Sequence, residues 1–156
     1  TGTLARMAAK IAAVLCDAGN HITESLGKFA ETIGVAFQIQ DDILDLTGEE
    51  FAEKKGGKGQ DITEGKRSLI VIRTLEKAKP QDRKRLIEIL NTHTTDQKLR
   101  DEAIRIIEKY DSINYAKQRA QNIITESWRE VDELLPRSDA KDKLKAFADY
   151  LVERTI

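Results

Sequence analysis

The chain has 156 residues, 40% hydrophobic and 34% charged, enough apolar material for one moderate core without disulfides or a structural metal. Its 26 basic and 27 acidic side chains leave a formal charge of −1, which excludes a globally basic nucleic-acid-binding surface. No apolar run approaches the ~18 residues of a spanning helix, the opening residues lack a signal-peptide pattern, and Cys16, the one cysteine, cannot form an internal disulfide; cytoplasm, no transmembrane segment and no nucleic-acid partner are the expectations.

Residues 1–46 carry 9 charged side chains, against 44 in the 110 residues that follow, so the first part should supply the centre of a core. Leu4, Met7, Ala8, Ile11, Ala12, Val14 and Leu15 recur at helical spacing and predict a first helix ending before Gly19. With Asn20 as its cap, a second and unusually long helix covers about residues 21–46 through Ile22, Leu26, Phe29, Ile33, Phe37, Ile43 and Leu44. Gly27 and Gly34, seven apart, share a stripe on which another helix can approach closely. Apolar side chains around much of its circumference make this helix central, with an apolar face left for a partner to cover.

The segment GEEFAEKKGGKGQDITEG, 48–65, reads as a short helical turn followed by a flexible, charged loop. From Lys66 to Leu135 there is no glycine and Pro80 is the only breaker, a helical signature. SLIVIRTL is β-branched, yet the chain offers no partner strand, so Ser68–Lys77 is assigned to helix. Pro80 opens the next, ending at NTHTT; stretches 96–109, 111–134 and 139–153 complete the set, with Asp96, Ser112 and Ser138 as caps or first-turn residues. Long helices joined by short turns imply an all-α bundle, with no internal domain boundary.

FQIQDDILD places Asp41 and Asp45 on one helix face, with Asp42 three residues before Asp45 and Gln38 three before Asp41. Like charges at this spacing repel, and Asp45 near the C-terminus of its helix also meets an unfavourable dipole. A solvated acidic turn must tolerate both, whereas a divalent cation offsets them. Carboxylates suit Mg²⁺, which keeps several waters and is shared with substrate phosphates. Lys54, Lys55, Lys58, Lys66 and Arg67 flank a further acid, Asp61, in the loop that follows, so a metal and diphosphate assembly is the chemistry these residues can hold. GGKGQD lacks the spacing of a nucleotide P-loop, and an EF-hand would need its ligands in a loop.

Together these motifs resemble the C-terminal half of the trans-prenyl diphosphate synthases, the family of farnesyl and geranylgeranyl diphosphate synthases. GVAFQIQDDILDLTG is similar to the family's second aspartate-rich motif, GQDITEGKRSLIVI to the region after it, Thr1-Gly2 to the end of a Lys-Thr-Gly segment, and SINYAKQRAQNIITESWREVDELLP to the terminal helices. The resemblance implies a Mg²⁺-dependent prenyltransferase in which an allylic diphosphate ionises, isopentenyl diphosphate attacks the cation, and proton loss yields a chain five carbons longer. By position it makes Asp41 a Mg²⁺ ligand, gives Asp42 and Asp45 the shaping of the metal site, and gives Asp61 a metal-bound water. It places Lys66 on the allylic diphosphate, with Thr1 and Gln38 beside the departing group and the allylic carbon and Phe37 among the substrate-binding residues. Gly56 and Gly57 stand where the family carries a lysine, for which Lys58 or Lys55 would have to substitute. The first aspartate-rich motif and the isopentenyl-diphosphate-binding residues have no counterpart. The resemblance therefore implies the C-terminal half of an isoprenoid-synthase helical bundle, inactive alone, completed by an N-terminal half of the same protein or by a separate subunit, and homodimeric when complete. The alternative is a noncatalytic isoprenoid-binding or regulatory subunit of a heteromeric synthase.

Outside these motifs, Trp128 reads as a helix-packing residue, and His21 and His93 as structural or surface groups without metal-ligand spacing. Tyr110 and Tyr115 should border the core with their hydroxyls near water, and Arg154 reads as a solvated helix end.

Overall fold

The computed structural model describes residues 1–48 and 57–153. Among the described residues there are eight helices and no strand: α1 (Gly2–Leu15), α2 (Asn20–Thr47), α3 (Gln60–Thr63), α4 (Leu69–Lys77), α5 (Pro80–Asn91), α6 (Gln97–Lys109), α7 (Ser112–Leu134) and α8 (Asp139–Glu153). Asn20 is already helical, and the Gly19 carbonyl accepts from the Thr23 amide at 3.1 Å, so Gly19 rather than Asn20 takes the capping place. Ser68 Oγ accepts from the Val71 amide that opens α4, Pro80 is the first residue of α5, and the Asp96 carboxylate accepts from Lys98 N in α6 at 2.9 Å; each satisfies or removes an otherwise orphaned first-turn donor. The β-branched run forms helix α4 because Ile70, Val71 and Thr74 fall on one buried face. Lys54, Lys55, Gly56 and Arg154 lie outside the described residues, as does the helical turn expected early in the 48–65 segment; the described part of that segment carries a helical turn at Gln60–Thr63.

The chain forms two compact units, one of Thr1–Gln40 with the helices from Gln118 onward, the other of Asp41–Lys117. In the first, α1 and α2 meet at the anticipated glycines. A Cβ on Gly34 would stand 2.5 Å from Gly2 Cα, and one on Gly27 would stand 2.7 Å from Lys10 Cγ. Phe29 of α2 is buried and its ring lies 5.4 Å from that of Trp128 on α7, tilted by 57°, an edge-inclined aromatic pair. Ile33, Ala36 and Ile39 are buried beside it.

The apolar face that residues 1–46 leave uncovered lies mostly on α1. That helix turns one stripe of small residues inward, with Ala13 buried and Gly2, Ala5 and Ala9 half-buried, and leaves Leu4, Met7, Ile11, Val14 and Leu15 51–79% exposed. Close helix approach needs small side chains at the contact, and Gly34 of α2 meets Gly2 of α1 there.

In the second unit α4, α5 and α6 pack on one another, and α3 packs on α5 and α6. Its core is Ile43, Ile62, Ile70, Leu86, Ile89, Leu90, Ala103 and Ile107. The Thr74 and Ser112 hydroxyls, both fully buried, lie 2.8 Å apart. Tyr110 is half-buried; its hydroxyl donates to Asp82 at 2.6 Å and accepts from the Lys79 amide at 3.0 Å. These bonds tie the end of α6 to the start of α5.

Candidate functional site

The second acidic motif ends α2, and its side chains organise the segment that follows. Asp45, 7% exposed, turns its two carboxylate oxygens to the backbone amides of Gln60 and Asp61 at 3.1 and 3.0 Å, while its carbonyl accepts from Gly59 N at 2.9 Å. Gly59, at φ +80°, offers no side chain to cap α3, so Asp45 supplies the acceptor from 15 residues away. Its like-charge neighbours are tolerated because amide donors offset its charge.

The far end of α3 closes in a Schellman motif. Gly65 takes φ +66°, its amide donates to Ile62 O at 3.0 Å, and the Lys66 amide donates to Asp61 O at 2.9 Å; the left-handed residue is the glycine such a cap favours. This reversal brings Lys66 back over the helix that carries Asp61. The Lys66 ammonium donates to Asp42 Oδ1 at 2.7 Å and to Asp61 Oδ2 at 2.9 Å, and Asp42 is 6% exposed. Burial works against the charge on Lys66, but its hydrogen bonds to Asp42 and Asp61 outweigh it and hold its pKa well above the ordinary lysine value. Burial pushes the Asp61 carboxyl above the usual aspartate range against the pull of Lys66, with the charges of Asp45 and Asp42 adding to the rise. Charge-assisted bonds of this length fix a cation between two carboxylates.

Asp42, Asp45, Asp61 and Lys66 thus form one network in the second unit. Asp41 stands one turn ahead of Asp45 on α2, half-buried. Lys58 is half-buried, and its carbonyl lies 3.5 Å from Gln97 Nε2. Thr1, exposed, and Phe37 and Gln38, half-buried, belong to the first unit. Among the described residues no group of three or more His, Cys, Asp or Glu is gathered to hold a metal ion. Mg²⁺ is usually held by one or two carboxylates, the remaining positions going to water and substrate phosphates. Two carboxylates converging on one cationic nitrogen fit that partial donor set.

Sequence reasoning overlooked two contributors. Gln97 and Arg100, on α6, abut the 57–59 turn; a Cβ on Gly57 would stand 2.6 Å from Gln97 Oε1 and 3.1 Å from Arg100 Nη2. On the other side, Thr63 Oγ1 donates to Thr94 O at 2.7 Å, and Arg67 reaches Asn91 Oδ1 at 2.8 Å. The positive-φ glycines were the available signal, since such turns need close neighbours to hold them.

Residues 1–107 match the polyprenyl synthetase family. The chain is 38% identical over 154 residues to the short chain isoprenyl diphosphate synthase of Methanothermobacter thermautotrophicus, covering 99% of this chain and 46% of that protein. To the geranylgeranyl diphosphate synthase of Methanosarcina mazei it is 33% identical over 154 residues, covering 99% and 45%. Among solved structures, the geranylgeranyl pyrophosphate synthetase of Pyrococcus horikoshii superposes with a TM-score of 0.83 at 33% identity, over 99% of this chain and 46% of that one. The chain spans less than half the length of each of these three proteins.

Proposed function

The chain belongs to the polyprenyl synthetase family, and from that membership we propose that it is the C-terminal half of a Mg²⁺-dependent prenyltransferase that condenses an allylic diphosphate with isopentenyl diphosphate. The observation that carries this reading is Lys66 held between Asp42 and Asp61 on a segment whose backbone is fixed by Asp45. Lys66 stays cationic throughout the neutral range and is placed to receive a diphosphate oxygen. Asp41, Asp42 and Asp61 are the residues to hold Mg²⁺, with Asp45 setting the backbone between them. Bound there, Mg²⁺ supplies positive charge that lowers the cost of the diphosphate leaving as an anion. Lys66 retains that diphosphate after the carbon–oxygen bond breaks. Lys58 takes the place of the lysine for which this sequence has glycine. The π electrons of isopentenyl diphosphate then form the new carbon–carbon bond, and the adduct loses a proton.

Residues 1–156 are, in this reading, one continuous portion of a single polyprenyl-synthase-like domain, and the complete unit is a homodimer in the cytoplasm. The exposed stripe of α1 supports a missing half, because burying a large apolar side chain contributes about 1.5–3 kcal/mol that solvent denies it. The test is reconstitution. The 156-residue chain mixed or fused with an N-terminal half bearing the first aspartate-rich motif should release diphosphate and extend an allylic substrate, and the chain alone should not. Turnover by the purified chain alone removes the requirement for a second half. Diphosphate binding without turnover in the reconstituted assembly would favour the noncatalytic isoprenoid-binding or regulatory role. Within the assembly, Asp41→Ala should weaken Mg²⁺-dependent diphosphate binding more than Asp42→Ala in calorimetric titrations, and equal effects would reverse that assignment.

A further inference from the structure

We infer that His93, in the turn between α5 and α6, is a positioning residue for Lys66, acting through the backbone of Thr63 and Gly65; the inference rests on the diphosphate-binding role proposed for Lys66. His93 is the last place a functional role would be sought, on a helix–helix turn and remote in sequence from the acidic motif. Its backbone adopts φ +48° just past the last turn of α5, the left-handed position at which helices commonly end, and its side chain reaches back to the segment that carries Lys66. The Nδ1 atom lies 3.1 Å from Thr63 O; a carbonyl can only accept, so Nδ1 carries the proton and donates. The same ring fills the space beside Gly65, where a Cβ would stand 2.8 Å from His93 Cε1 and 2.8 Å from Leu90 O.

These contacts bracket the Schellman cap that aims Lys66. Thr63 is the last residue of α3 and Gly65 is the left-handed residue of the cap. The turn answers with its own bonds, Thr63 Oγ1 to Thr94 O and Arg67 Nη2 to Asn91 Oδ1. Lys66 therefore sits on a backbone gripped from beneath by residues 91–94, while Asp42 and Asp61 hold its ammonium from the other end. Loss of the His93 ring frees the backbone but leaves the ammonium's partners in place, so the consequence is a misdirected lysine.

The experiment compares His93→Gly, His93→Asn and Lys66→Ala in the chain assembled with an N-terminal half, reading inorganic pyrophosphate affinity in Mg²⁺ buffer by calorimetry alongside the thermal midpoint. Glycine adopts the same left-handed backbone freely while deleting the ring, so H93G should keep a midpoint near the parent's yet bind pyrophosphate about five- to tenfold more weakly, the scale of one lost hydrogen bond. Asparagine tolerates the same backbone and sets its amide nitrogen where Nδ1 was, so H93N should recover most of the affinity. Parent-like affinity in H93G overturns the inference, as does an affinity loss that H93N fails to recover. Unchanged affinity in K66A would instead reject the diphosphate-binding role of Lys66, whatever the His93 variants do.

Discussion

Asp45 and Lys66 each do something that their residue types alone leave open. Because the Asp45 carboxylate is buried and satisfies two amides, Asp45→Ala should cost about 1–3 kcal/mol in urea unfolding, the penalty of stranding buried donors. Asp45→Asn, keeping one acceptor oxygen, should cost less. The pH dependence of Lys66 follows from its raised pKa. A lysine whose folded pKa exceeds its unfolded value stabilises the fold fully below the unfolded value, 10.5, and loses that contribution as pH rises through the folded one. Lys66→Met should thus lower the thermal midpoint at pH 8, and its difference from the parent should shrink as pH is carried past 10.5; a constant difference would mean that packing rather than charge is lost.

At the scale of elements, the α1–α2 contact separates its two glycines. A Cβ at Gly34 meets backbone of Gly2, whereas one at Gly27 meets the stem of the Lys10 side chain, which can yield only by changing rotamer and giving up its ion pair with Glu24. Alanine gains roughly 1 kcal/mol of helix propensity at either site, but overpacking against immovable backbone costs about 1–3 kcal/mol. Gly34→Ala should therefore destabilise the chain and Gly27→Ala should be less harmful, as chemical denaturation will show. The exposed stripe of α1 gives the opposite kind of prediction. Leu4→Gln, Met7→Gln and Ile11→Gln replace side chains already 51–67% exposed, so each should change the stability of the isolated chain by no more than about 0.5 kcal/mol. The triple variant should nonetheless lose association with an N-terminal half in sedimentation velocity. Unimpaired association would place the partner elsewhere.

For the molecule as a whole, the described residues contain no helix long and apolar enough to cross a membrane, and their fold is all-α. An apolar α1 face in water favours association, so sedimentation velocity of the chain at low micromolar concentration should reveal dimers, larger assemblies or poorly folded material. A compact monomer with one cooperative unfolding transition would show that residues 1–156 stand alone as a domain.

The sequence by itself determined the helices, because a stretch of 70 residues without glycine, Lys66–Leu135, and apolar spacings of three and four leave the backbone little else to form. It also placed Asp41 and Asp45 on one face and carried the family motif, both properties of local spacing. Which stripe of α1 turns inward was decided by tertiary structure, since periodicity marks a large and a small stripe equally and the close approach of Gly34 to Gly2 admits only the small one. The partners of Asp45, Lys66 and His93 were decided the same way. Their bonds join residues 15, 24 and 30 positions apart, and a hydrogen bond needs a donor and acceptor brought within about 3 Å, a distance that packing sets and sequence spacing does not.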